Sequence, residues 1–262
     1  MSLLSTRSLL PALPVLATML TIGLATPSSA QTSLYGQNAY SLGDYHWDFN
    51  FSSSNGITVI QNGTTYGPFG PYLTYDNFTL PSTSQVGSVT WEGLTIADPS
   101  FGLGHQGVEP STFTIEFLSD NAGLPGSVIN SQTVSPTTTY VTQGNLYDDD
   151  ALENIYSYSA NLNATPALQA GTQYWISIIG NTSGDNGWGW VSGEPGDGSA
   201  YQIDGTDSSQ DGFAQYDRSF NLSSPAPAPE PSSLVSLLVA GGLLIALRFV
   251  AFMTRKKSKP VV

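Results

Sequence analysis

The residues best able to do chemistry in this chain are two histidines, a surplus of carboxylates and a pair of tryptophans. His46 sits in Asp44-Tyr45-His46-Trp47-Asp48-Phe49, where the two-residue period of a strand puts Asp44, His46 and Asp48 on one face. Three such ligands suit a divalent metal. The plainer reading, which the pattern favours, is an amphipathic strand with its aromatic face inward and its polar face wet. His105 lies in Gly102-Leu103-Gly104-His105-Gln106-Gly107, a glycine-rich loop that reads as solvent-facing. The chain has no Gly-x-Ser-x-Gly elbow, no His-Glu-x-x-His pair and no Gly-x-x-x-x-Gly-Lys loop, so serine hydrolysis, zinc hydrolysis and phosphate cradling lack their sequence signatures. With no Cys, thiolate metal sites, disulfides and cysteine nucleophiles are excluded together.

Two oxygen-rich or aromatic constellations stand above background. Asp204, Asp207 and Asp211, with Asp197 upstream, make a loop suited to calcium, which takes six to eight oxygen ligands. Their spacing misses the EF-hand pattern, which favours a solvated acidic loop. Trp188-Gly189-Trp190 puts two indoles on one strand face with an open backbone between them. Such a pair either stacks on sugar rings or, more commonly, packs in a sandwich core or rim. A carboxylate pair for glycoside hydrolysis needs proximity in space rather than in sequence, so the abundance of acids singles out no pair.

The elements that must carry these residues are strands. Between Gln31 and Ser224 the apolar period is two: Val89 and Trp91 interleave with Ser88, Thr90 and Glu92, Phe113, Ile115 and Phe117 with Thr114 and Glu116, and Tyr174, Ile176 and Ile178 with Trp175 and Ser177. Gly and Pro clusters such as Gly67-Pro68-Phe69-Gly70-Pro71 and Gly193-Glu194-Pro195-Gly196-Asp197-Gly198 punctuate them. The pattern predicts an all-β, two-sheet sandwich of jelly-roll type with ten to twelve short strands. Asn121 to Gly126 is expected as a hairpin whose glycines supply positive φ. Only Asp148 to Asn154 reads as a short helical turn. An irregular or hairpin-like part over 31–71 precedes the sandwich over 72–224.

The seven cations divide the chain into segments with different fates. Of 262 residues, 20 are acidic and seven basic, a net charge of −13. The segment from 31 to 224 holds 19 of the acids and one cation, Arg218. A surface so acidic repels phosphate backbones and argues against a nucleic-acid partner. Arg7, the apolar Leu9 to Leu24 and the small residues Ser28-Ser29-Ala30 read as a signal peptide over 1–30. At the other end a Pro-rich linker over 225–233 precedes an apolar run, Leu234 to Met253, long enough for a transmembrane helix. A basic tail over 254–262 follows. Arg248, Arg255, Lys256 and Lys257 set the expected topology, tail inside and acidic domain outside.

Pro229-Glu230-Pro231, the apolar run with Gly241-Gly242 and the Arg/Lys-rich end together resemble the PEP-CTERM sorting signal of exported bacterial proteins. The resemblance covers about 30 residues. It implies a partner, the membrane transpeptidase exosortase, which recognises the tripeptide and removes the tail, and it implies an exopolysaccharide or cell-surface setting. In that family the basic cluster directly follows the apolar run, whereas here Phe249 to Met253 separate Arg248 from it. The stretches Tyr75 to Pro81, Val89-Thr90-Trp91, Phe113 to Gly126 and Gly171 to Ile178 resemble the β-sandwich ectodomains that precede such tails, a resemblance that brings no catalytic residues with it. The expectation is an exported structural or adhesive protein at the surface or in the matrix, with glycan or calcium binding as accessory roles. The alternative is a secreted carbohydrate-active enzyme using paired carboxylates.

Overall fold

The computed structural model describes residues 31–39, 46–47, 49–55, 57–61, 64–69, 71–97, 107–146, 152–163, 165–183, 186–205 and 211–226, together with Gly241, Gly242, Ile245, Leu247 and Arg248. The chain divides into two units, Ala30–Ala226 and a second made of Met1–Ser29 with Pro227–Val262. In the second unit the five described residues have helical backbone. No helix among the described residues is long and apolar enough to cross a membrane.

The unit Ala30–Ala226 is all-β, and its strands, numbered β1 to β17 along the chain, form two large sheets. The nine-stranded sheet runs β16 (Asp217–Arg218), β13 (Asn186–Glu194), β1 (Ser33–Ala39), β17 (Phe220–Ser223), β7 (Ser88–Ala97), β11 (Leu152–Asn161), β10 (Thr137–Leu146), β2 (His46–Trp47). The short β3 (Phe49–Phe51) pairs with β13, which also reaches β7. The six-stranded sheet runs β15 (Gly212–Gln215), β14 (Ser199–Asp204), β6 (Tyr72–Thr79), β12 (Gln173–Gly180), β8 (Phe113–Asp120), β9 (Pro125–Val134). A separate hairpin joins β4 (Ile57–Gln61) to β5 (Thr64–Phe69). Pairing is antiparallel except where β2 meets β10.

Alternation decides which side chains enter the space between the sheets. Val89 and Trp91 of β7, Tyr158 of β11, Trp188 and Trp190 of β13, and Phe220 and Leu222 of β17 share one buried cluster with Phe78, Phe113, Ile115, Phe117, Ile176 and Ile178. Trp91 stacks on Tyr158 with centroids 5.5 Å apart, and Phe113 meets Trp188 edge-on at 5.0 Å. β12 is buried on both faces: Trp175 lies on its other side with Tyr75 and Leu118. A central strand covered on both faces reads as a continuous apolar run, which the sequence Tyr-Trp-Ile-Ser-Ile-Ile does.

Three local expectations meet the structure differently. The hairpin between β8 and β9 turns at Ala122 and Gly123, both at positive φ (55° and 85°), with Asn121 and Leu124 exchanging amide and carbonyl bonds of 2.9 and 3.3 Å. That is the two-residue turn whose twist suits a hairpin, although its first positive φ falls on an alanine. The helical turn expected over Asp148 to Asn154 is corrected from Leu152 onward: Leu152, Glu153 and Asn154 begin β11, paired to Asn145, Gly144 and Gln143 of β10. The line drawn at Tyr72 does not divide the fold. β1 runs between β13 and β17 in the nine-stranded sheet, because Tyr35 and Gln37 take inward positions there.

Candidate functional site

The tryptophan pair belongs to the core. Trp188 and Trp190 are both fully buried, so no ring face is open for a sugar to stack on, and the glycan use of this pair is corrected. The open backbone of Gly189 is filled by the Phe49 ring of β3, and the Trp188 ring lies where a side chain on Gly93 would stand. The three glycine-for-aromatic exchanges at Gly93, Gly180 and Gly189 let large rings approach backbone directly. Trp190 Nε1 donates to the Ser219 carbonyl (2.8 Å).

Of the proposed calcium ligands, Asp204 is buried at the end of β14 and Asp211 accepts a bond from the Asp204 amide (2.9 Å). Tyr72 also hydrogen-bonds the Asp204 carboxylate, and its hydroxyl is pushed up to about 12, by burial first and by that carboxylate second. Asp207 lies outside the described residues. So do Asp44, Asp48 and His105. His46 lies on β2 beside Asn145 of β10. Pro229, Glu230, Pro231, Arg255, Lys256 and Lys257 also lie outside them, while Arg248 is one of the five described helical positions.

What the fold does bring together is a buried charged cluster around Arg218. The chain leaves the nine-stranded sheet for the six-stranded one after β13, through Pro195 to Gly198, and returns between β15 and β16 through Tyr216, which has φ 66°. The Arg218 guanidinium sits at that return and is fully buried. Nη2 donates to the carbonyls of Gln215 (2.6 Å) and Tyr216 (2.9 Å), and Nη1 to that of Trp190 (3.3 Å). A planar fork with five donors can hold three carbonyls in this way, and an ammonium cannot copy it.

Carboxylates complete the cluster from both crossings. Asp76 of β6 accepts the Arg218 backbone N–H through Oδ2. Asp217 accepts the Gly198 amide (2.9 Å), and the Tyr216 amide donates to the Gly198 carbonyl (3.1 Å). Asn77 Nδ2 reaches Asp197 in the first crossing (2.7 Å). Gln37 of β1 is satisfied with its amide nitrogen toward Asp76 Oδ2 (2.9 Å) and the Arg218 carbonyl (2.6 Å), its oxygen accepting from Tyr35 (2.9 Å). The reverse orientation would set that oxygen against two acceptors. Both chain crossings are thereby tied to the same charged centre, and through Asp76 and Gln37 to both sheets.

Burial sets the electrostatics of this centre. Asp76 is held well above the usual carboxylate range, first by desolvation and then by Asp217; the Arg218 amide and guanidinium pull in the other direction. Its Oδ1 has no hydrogen-bond partner among the described residues. Tyr35 is raised by burial and by Asp76. Elsewhere, Glu109 is raised by burial while the Tyr158 hydroxyl donates to it, and Tyr158 itself is raised. Asp76 and Asp217 form a carboxyl pair in space, but at 0% and 3% exposure they face the protein and leave no room for a substrate. Chemically the cluster can clamp backbone and take up protons.

Composition alone points to one member of the cluster: Arg218, the lone cation of its segment. Asp76 and Gln37 carry no signal in the sequence, because only the pairing of β6 and β1 with distant strands brings them to Arg218. No protein-family model matches the chain, and no curated protein is similar to it.

Proposed function

We propose that the chain is an exported structural or adhesive protein, sorted through Pro229-Glu230-Pro231 as a PEP-CTERM signal and displayed at the cell surface or in a polysaccharide matrix. In this reading residues 1–30 direct export, a jelly-roll-like sandwich is the displayed part, and 234–253 with the basic tail hold it in the membrane until an exosortase-type enzyme acts. The observation that carries the reading is the burial of Arg218. Six of the seven cations lie in the terminal segments, and the seventh is sealed in the interior. The folded unit therefore presents acids and neutral polar groups to solvent and no Lys or Arg. Such a surface stays solvated and self-repelling, and it disfavours anionic lipid and nucleic acid.

The clamp at the two crossings fits a part selected for persistence outside the cell, since it ties both sheets at one point. The reading is tested by changing Glu230→Ala and fractionating the cells. Sorting through the tripeptide predicts that the variant stays in the membrane fraction at full length while the parent is released or surface-exposed. Equal release of both proteins would refute it.

A further inference from the structure

On the outward face of the nine-stranded sheet, where β1, β17, β7, β11 and β10 lie side by side, there is a hollow of 260 Å³. Strand alternation sends Trp91, Tyr158 and Phe220 inward and turns their neighbours Thr90, Glu92, Ser157 and Asn221 outward. Asn38 of β1 and Val141 of β10 complete its walls.

In the interior of the domain, Ser52, Thr165 and Ser177 each donate to a backbone carbonyl at 2.6 to 2.8 Å. Of the residues that line the hollow, Gln37 and Ser219 are likewise bonded to protein groups, and five others are not. Among the described residues, the side chains of Asn38, Thr90, Glu92, Ser157 and Asn221 bond to no protein group. The Glu92 backbone is nevertheless fixed, its amide donating to Ser219 Oγ at 3.2 Å and its carbonyl accepting from the Ser219 hydroxyl at 3.4 Å. The Asn221 amide lies across Gly36, in the space a side chain there would occupy. Half-buried Glu92 is raised by desolvation, the state of a carboxyl that lacks both full hydration and a protein donor.

We propose that this hollow binds one neutral saccharide unit, with the Asn38 and Asn221 amides and the Glu92 carboxylate exchanging hydrogen bonds with ring hydroxyls. Hydroxyls both donate and accept, so they match a wall that mixes amides, hydroxyls and one carboxylate. Val141, 43% exposed, supplies apolar contact for the C–H face of the ring. One carboxylate falls short of the oxygen set calcium requires. An anionic sugar would meet Glu92 with no cation to offset it. The volume is below the about 300–1,000 Å³ of drug-sized sites, which suits a single ring. The proposal deepens the display reading by naming the matrix chemistry the domain would touch, but sugar binding and sorting are separable.

The test uses the purified full-length protein in detergent micelles with glucose, galactose, mannose, N-acetylglucosamine and glucuronate as probes, read by saturation-transfer NMR and titration. At least one neutral sugar should bind with a Kd of about 1 mM, and Glu92→Gln or Asn38→Ala should weaken it about tenfold. The melting temperature of Asn38→Ala should match the parent, since that side chain bonds to no protein group, and that of Glu92→Gln should not fall below it, since the change removes a desolvated charge. Absence of binding by all four neutral sugars, binding that both variants leave unchanged, or a preference for glucuronate overturns the site. Sugar binding by the parent together with equal release of the parent and Glu230→Ala would leave this site standing and remove only the display reading.

Discussion

Replacing Arg218 with methionine tests the crossing clamp directly. Methionine keeps much of the side chain's length and apolar stem, so the change removes charge and hydrogen bonds more than volume. Three carbonyls, of Trp190, Gln215 and Tyr216, lose their donor, and Asp76 and Asp217 lose the cation beside them while remaining buried. Removing one partner from a buried charge cluster costs about 3–5 kcal/mol, a large part of the about 5–15 kcal/mol that holds a domain folded. For a domain of this size that lowers Tm by about 10 °C or more. The assay is calorimetric or fluorescence-monitored unfolding at pH 7.5. A second variant, Arg218→Met with Asp76→Asn, should regain part of the loss, because it also removes a carboxylate left without compensation. If Arg218→Met melts within about 2 °C of the parent, the clamp contributes little and the account of the two crossings is wrong.

Stability should also depend on pH with an unusual sign. The folded-state pKa values of Asp76, Glu92 and Glu109 are all raised, so the folded form binds more protons than the unfolded one above the ordinary carboxylate range. Their contribution is complete below that range and is lost as pH rises through the raised values. Unfolding in urea should therefore show higher stability near pH 5 than at pH 7.5; a flat or rising profile over that interval contradicts the shifts. Gly93→Ala would drive a methyl into the Trp188 ring, and overpacking of this kind costs about 1–3 kcal/mol, visible as a lower urea midpoint with unchanged slope. Because the Asp211 carboxylate already accepts from the Asp204 amide and the Asp204 carboxylate already bonds Tyr72, millimolar calcium and excess EGTA should give the same Tm; a clear rise with calcium would show that these acids bind the ion.

How much of this was legible in the sequence depends on how local each signal is. The faces of β7, β8 and β12 followed from alternation, since Trp91, Phe117 and Ile176 repeat at period two with polar residues between them. The hairpin at Ala122-Gly123 followed from its flanking Asn and Gly. Trp188-Gly189-Trp190 showed a face but not which side of the sheet it served: the ring that fills the glycine gap, Phe49, lies about 140 residues away. β1 was the harder case. Its Leu34, Tyr35 and Gln37 are too mixed to announce a central strand, and its place is set by long-range pairing with Asn221 and Phe220. The same holds for the Arg218 cluster, whose members come from β1, β6 and β16 and the turn before β14. Burial of a Gln and an Asp cannot be inferred from residue type, because both are usually exposed.

Intact-mass and peptide mass spectrometry of the protein recovered from outside the cell will show whether the cations serve export and attachment while the displayed part exposes none. The recovered chain should begin at Gln31 and end before the apolar run, and therefore contain no Lys, since every Lys lies at or beyond Lys256. Recovery of extracellular protein that still carries Arg255-Lys256-Lys257, or that retains residues 1–30, would contradict that division of roles.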